Sequence, residues 1–274
     1  MRIIKNIVDF YIKSSIHVAL AVTSFVKVWS LEFNSSLSIY FYGLVFFATI
    51  SGYNFVKYAK AAGLHHRSLT NSLQAIQAFS FVSFCLFLYC LFHIDFKTIV
   101  GGVALSALTF FYAVPLFRKT SLRTLAGIKV VIVAIVWAGV TCVLPSLENG
   151  VPFDTDVWLT FTQRIVLVLA LMIPFEIRDL KFDELALSTM PQQWGINKTK
   201  IFGIGLIVFT ILLEGFKDVI SAKHISALSI TSVVLGFVIL ISKKKQSEYF
   251  AAFWVESIPI FYVAILLLFS HFLF

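Results

Sequence analysis

Long apolar runs, joined by polar connections, follow one another from residue 15 to the end of this chain. They fall at about 15–32, 37–56, 74–93, 98–117, 126–145, 157–176, 201–215, 224–242 and 251–273. A helix needs roughly 20 predominantly apolar residues to cross the hydrocarbon core of a bilayer, and most of these runs reach that length. They are continuous rather than alternating, which selects helices over the strands of a membrane barrel. With 59% hydrophobic and 13% charged residues among 274, the chain carries about half the charge of a soluble domain. A water-soluble globule cannot solvate itself on that composition, and a disordered chain needs the opposite balance. The expected fold is therefore all-α and integral to the membrane, a single polytopic domain over residues 1–274 with nine transmembrane helices. The weakest spans are 15–32, interrupted by Lys27, and 201–215, which is short and ends at Glu214.

Charge asymmetry orients the bundle. With the N-terminus inside, most lysines and arginines fall on cytoplasmic segments, from Arg2, Lys5 and Lys13 through to the Lys243-Lys244-Lys245 run. The other side keeps Lys97, Lys217 and Lys223, and collects Glu32, Asp95, Glu148, Asp154, Asp156, Glu214 and Asp218. Such a bias predicts a cytoplasmic N-terminus and an external C-terminus in the cell (inner) membrane. Topology thereby accounts for the formal charge of +8 without a nucleic-acid partner. Residues 1–13 include Asp9, and no small-residue cleavage site follows the first apolar run, so the segment does not read as a removable signal. Cys85, Cys90 and Cys142 lie inside apolar runs with no C-x-x-C spacing, which favours neither a disulfide framework nor a thiolate metal site.

Some charges have no topological task. Lys27, Lys129, Arg164 and Glu256 fall within expected spans, where a charge is costly and marks a functional position by default. Snorkelling to the nearer interface is the competing account, and it is the one expected for Arg164 near the outer end of its helix. Lys27 and Lys129 fit either account.

Two cytoplasmic connections are long and polar, 54–70 after the second span and 176–200 after the sixth, and both begin as helix extensions. In the second, Glu176, Asp179 and Asp183 recur at i, i+3 and i+7, which places three carboxylates on one helical face. Mg²⁺ suits such a face, since it takes a few carboxylate oxygens and completes its shell with phosphate and water. A solvated helix end with Arg178 and Lys181 as counter-ions fits the same spacing. In the first, Asn54 and Lys57 share a face, and Lys60, His65, His66 and Arg67 make the neighbourhood basic. The adjacent histidines point apart on a helix and no partner ligand follows, which argues against a metal there.

Taken together, these loops resemble the signatures of the UbiA-type membrane prenyltransferase superfamily. Arg178-Asp179-Leu180-Lys181-Phe182-Asp183 matches that family's R-D-x-x-x-D pattern, and Thr189-Met190-Pro191 with Gly195 is similar to its T-L-P-x-x-x-G tail. Tyr112 to Lys129 is similar to the family's Y-x-x-P segment with its downstream lysine. Asn54 matches the first residue of the other signature, N-D-x-x-D-x-x-x-D, and Arg67-Ser68-Leu69 resembles the R-P-L stretch beyond it. Where that signature has aspartates this chain has Phe55, Tyr58 and Ala62, none of which can hold a metal.

The resemblance implies a nine-helix bundle that ionises a prenyl diphosphate with Mg²⁺ and passes the isoprenoid group to a hydrophobic acceptor. It implies Asp179 and Asp183 as catalytic metal-binding residues, with Glu176 as a third carboxylate. Asn54, Lys57, Arg67, Lys129 and Arg178 become the candidates for substrate binding. With the first aspartates gone, a protonated lysine, Lys57 first, is the expected substitute for the second metal. A catalytically inactive protein of the same fold, binding isoprenoid or quinone lipids, is the alternative. A transporter is disfavoured, because no paired repeat or matched Gly/Pro break occurs.

Overall fold

The computed structural model describes residues 2–62, 71–113, 128–180 and 189–272, and every regular element among them is a helix. Helices α1 (Arg2–Lys13), α2 (Ile16–Glu32), α3 (Ile39–Ala62), α4 (Asn71–Leu91) and α5 (Phe96–Ala113) come first. One rod follows, made of α6 (Ile128–Ala138), a π-helical stretch (Gly139–Val143) and α7 (Leu144–Glu148). Then come α8 (Thr155–Asp179), the short α9 (Met190–Trp194), α10 (Ile196–Glu214) and α11 (Ala222–Ile241). A second π-helical stretch (Phe250–Val255) leads to α12 (Ile258–Phe272). His65, His66, Arg67, Asp183 and residues 114–127 lie outside the described residues.

Among the described residues, each apolar run marked in the sequence falls on a helix. Seven helices are long and apolar enough to cross a membrane, or eight if α1 and α2, bent by 56°, form one broken span. The apolar part of α5, Phe96–Phe111, is shorter. The chain is a multi-pass membrane protein.

The span that looked weakest in sequence, α2, is the centre of the bundle. Ala19, Ala21, Phe25, Val26 and Trp29 are fully buried there, against α3, α12 and the α6–α7 rod. Lys27 takes a partly buried face and leaves that core intact. At the rim, α4 turns Phe81, Val82, Phe84 and Tyr89 outward, as a lipid-facing helix does. Helices α8 and α10 meet at Gly203, where an added Cβ would stand 2.5 Å from Ile173 Cδ1. Small residues at such crossings let membrane helices approach closely. Several hydroxyls bond back along their own helix, as where Thr23 donates to the Ala19 carbonyl at 2.7 Å and Thr141 to the Trp137 carbonyl at 2.7 Å.

Candidate functional site

The polar ends of α3 and α8, the start of α6 and the entry to α12 stand at one end of the bundle. The site is built on a sharp elbow between α1 and α2, where Ser15 adopts a left-handed φ of 65°. Non-glycine residues enter that region at a cost and need surrounding contacts to stay there. Asn54 supplies them. Its Oδ1 accepts from Ser15 Oγ at 2.7 Å, and its Nδ2 donates to the Ser14 carbonyl at 3.0 Å and to Ser80 Oγ at 2.7 Å. Asn54 is 3% exposed and thus joins α3 to the elbow and to α4.

The same stretch of α3 continues the pattern. Lys57 Nζ donates to Ser15 Oγ at 2.9 Å, and the Tyr58 hydroxyl donates to the Lys13 carbonyl at 3.0 Å. Phe55 is exposed. Two of the positions that carry aspartates in the resembled signature therefore hold an outward phenylalanine and a tyrosine that fastens the elbow.

Across the site, α8 ends with its charges engaged. Lys129 Nζ reaches Glu176 Oε1 at 2.9 Å, and Arg178 Nε holds Asp179 Oδ1 at 2.7 Å. Glu176 is 2% exposed, so its charge is bearable only because a cation is bonded to it. Arg178 also lies over the Phe175 ring, 5.1 Å from its centroid, and its charge suits a helix C-terminus. Beyond α8, Thr189 starts α9 with its N–H bonded to the Gln192 side chain at 2.9 Å. Gly195 then breaks the chain at φ 78° before α10.

Glu256, marked in sequence as a charge without a task, ends the second π-helical stretch, and Lys57 and Arg178 are the cations that act on it. Sequence reasoning missed His17. Its ring faces Tyr11 Oη at 2.8 Å, the Phe253 carbonyl at 2.9 Å and Ser257 Oγ at 3.1 Å, and stacks on Phe253. It ties α1, α2 and the entry to α12 together behind the charges. A histidine directly after the elbow serines was the only hint.

The donors meet a divalent ion in one respect. Asp179 Oδ2 has no partner among the described residues, whereas Glu176 is committed to Lys129. No group of three or more His, Cys, Asp or Glu side chains among the described residues is arranged to hold a metal. Asp179 thus keeps one carboxylate oxygen to offer to Mg²⁺.

The opposite end of the bundle carries a second set of charges. Lys217 bonds Glu32, Glu214 Oε2 at 2.7 Å and Gln163 Oε1 at 3.2 Å. Thr160 Oγ1 donates to Glu32 at 2.7 Å, and Gln163 Nε2 donates to Glu214 Oε2 at 3.0 Å. Burial works against the charge on Lys217, yet the two carboxylates outweigh it and hold the ammonium above the usual lysine range. Arg164 corrects the snorkelling expectation. It is 4% exposed, turned into the bundle, with Nη1 on the Phe25 carbonyl at 3.2 Å and its guanidinium 4.1 Å over the Phe25 ring.

No family model matches the chain, and no curated protein matches it by sequence. Solved structures do match over nearly its whole length. A UbiA homologue from Aeropyrum pernix K1 in its apo form is 15% identical with a TM-score of 0.62, covering 93% of this chain and 98% of that one. A UbiA homologue from Archaeoglobus fulgidus bound to GPP and Mg²⁺ is 14% identical with a TM-score of 0.61, covering 95% and 98%. The structure of a digeranylgeranylglyceryl phosphate synthase is 13% identical with a TM-score of 0.58, covering 96% and 98%. The likeness is one of fold: the chain has a UbiA-type fold.

Proposed function

We propose that this chain is a UbiA-like membrane prenyltransferase, moving an isoprenoid group from a prenyl diphosphate to a lipid-soluble acceptor. One observation carries the reading. Lys57, Lys129 and Arg178 stand with Glu176, Asp179 and Glu256 at one end of a UbiA-type bundle. Solved structures of that fold include a homologue bound to GPP and Mg²⁺ and one bound to DMAPP and Mg²⁺. In this reading the chain has nine spans in the cell (inner) membrane, its N-terminus is cytoplasmic and its C-terminus external, and the charged end faces the cytoplasm.

Lys57, Arg67, Lys129 and Arg178 neutralise the diphosphate, and Asn54 holds the elbow that positions Lys57. Asp179 and Asp183 are the catalytic carboxylates. A Mg²⁺ ion on them would stabilise charge on the leaving oxygens. Glu176, expected from the sequence as a third metal ligand, serves by holding Lys129. The carbon–oxygen bond of the prenyl diphosphate breaks with its electron pair leaving on the diphosphate. The acceptor supplies the pair for the new bond and loses a proton. Lys57 stands between the positions where the resembled signature has carboxylates, and its ammonium meets phosphate without a metal.

The test is the affinity of purified protein for geranylgeranyl diphosphate with and without Mg²⁺. Wild type should bind more tightly with the ion, and Asp179→Asn should lose about tenfold, the worth of one charge-assisted contact. Equal affinities overturn the metal assignment. Membranes supplied with radiolabelled prenyl diphosphates, then extracted for lipid products, test transfer itself. A second reading, an inactive UbiA-fold protein that binds isoprenoid or quinone lipids, is favoured by the pairing of Glu176 and Asp179 with cations. Binding without any labelled product would establish it.

A further inference from the structure

At the end of the bundle opposite the candidate site lies a cavity of about 700 Å³, between the end of α2, the start of α11 and the end of α12. Lys27, Lys223, His224, Ser35 and Ser221 line it beside Leu266, and no carboxylate does. Glu32 and Glu214, the carboxylates whose charge reaches His224, are held by Lys217. Lys27 forms no ion pair among the described residues, so a charge within a membrane helix has only this cavity to face.

Two further observations point to a ligand. Helix α11 begins here, and the hydroxyl of its N-cap, Ser221, makes no capping bond. The first-turn amides of a twenty-residue helix are thus left to another acceptor, and a helix N-terminus favours an anion through its amides and its dipole. His224, in that first turn, is 6% exposed, and its Nε2 has no hydrogen-bond partner. A buried ring nitrogen left unpaired is costly unless something completes it.

We propose that this cavity binds a phosphate group carried by an anionic lipid. Lys27 and Lys223 supply the charge and the start of α11 supplies donors. Leu31, Leu37 and Leu266 supply the apolar flank that a headgroup with its glycerol and upper acyl chain would meet. Inorganic phosphate offers the same chemistry without the flank.

The test uses the full chain in neutral detergent, titrated with short-chain phosphatidylglycerol, short-chain phosphatidylcholine and inorganic phosphate. Wild type is expected to prefer phosphatidylglycerol over phosphatidylcholine, and the Lys27→Gln, Lys223→Gln double variant to lose that preference, weakening about tenfold or more. Lys97→Gln, an exposed lysine outside the cavity, should leave it unchanged. Lys27→Arg should keep binding and serves if the double variant fails to fold. Inorganic phosphate that binds as tightly as phosphatidylglycerol, with loss in the double variant, supports the phosphate site and assigns it to a soluble anion. Equal affinity for the two lipids, or binding unaltered by both lysine substitutions, overturns the proposal.

Discussion

The two ends of this bundle handle charge in opposite ways. At the candidate site, ion pairs are local and graded in exposure. Arg178 takes its sequence neighbour, Lys129 takes Glu176, and Asp179 keeps one oxygen without a partner. At the other end Lys217 is bonded to two carboxylates and an amide at once, and each carboxylate accepts from a further donor, Thr160 or the Gln163 amide. A cation saturated by protein groups has nothing left for a ligand, and its network joins α2, α8 and α10. Charges at the candidate site, where fewer protein groups bond each cation, can exchange partners for the proposed diphosphate. The difference separates charge that holds helices together from charge able to act on a substrate, which composition alone does not do.

Breaking the saturated end should cost most. Lys217→Met leaves Glu32 and Glu214 buried together, and removing one partner of a buried ion pair costs about 3–5 kcal/mol. A large fall in the thermal midpoint in detergent is expected, and a fall under about 1 kcal/mol would erase the contrast between the ends. Next comes Asn54→Ala, which removes the three bonds that tie α3 to Ser14, Ser15 and Ser80, for about 1–3 kcal/mol for each group left buried and unpaired. It should lower both stability and diphosphate affinity. Lys57→Gln sharpens the comparison from the other side, with affinity down about tenfold and the thermal midpoint nearly unmoved. If stability falls as far as in Asn54→Ala, Lys57 belongs to the elbow and not to the substrate.

The smallest effect is alkaline. The folded-state value of Lys217 lies above that of the unfolded chain, about 10.4 for an ordinary lysine. Its contribution is therefore complete below that pH and is lost as the pH rises through the folded value. The stability gap between wild type and Lys217→Met should narrow in strongly alkaline buffer, and a gap that widens there would contradict the pairing.

The residues show how far sequence reading reaches. Apolar runs located the helices because a membrane leaves no other way to satisfy a backbone. The R-D-x-x-x-D match placed Arg178 and Asp179 at a helix end, where α8 stops. Depth along a span did not reveal which way a side chain faces, so Arg164 was expected at the interface and lies in the core instead. Pairing across sequence was equally hidden: Lys217 and Glu32 are 185 residues apart, and Lys129 and Glu176 are 47 apart.

By itself, the sequence determined that this protein is helical, that it spans a membrane, and that charged residues gather at the ends of α3 and α8. These follow from local hydrophobicity and spacing, which each segment carries alone. Only the tertiary structure decided that α2, with its lone lysine, is the central helix, and that Asn54 and Tyr58 fasten an elbow. Only it decided which charges are spent on one another and which remain for a ligand. Burial and ion pairing depend on what lies across from a residue, and no single segment contains that information.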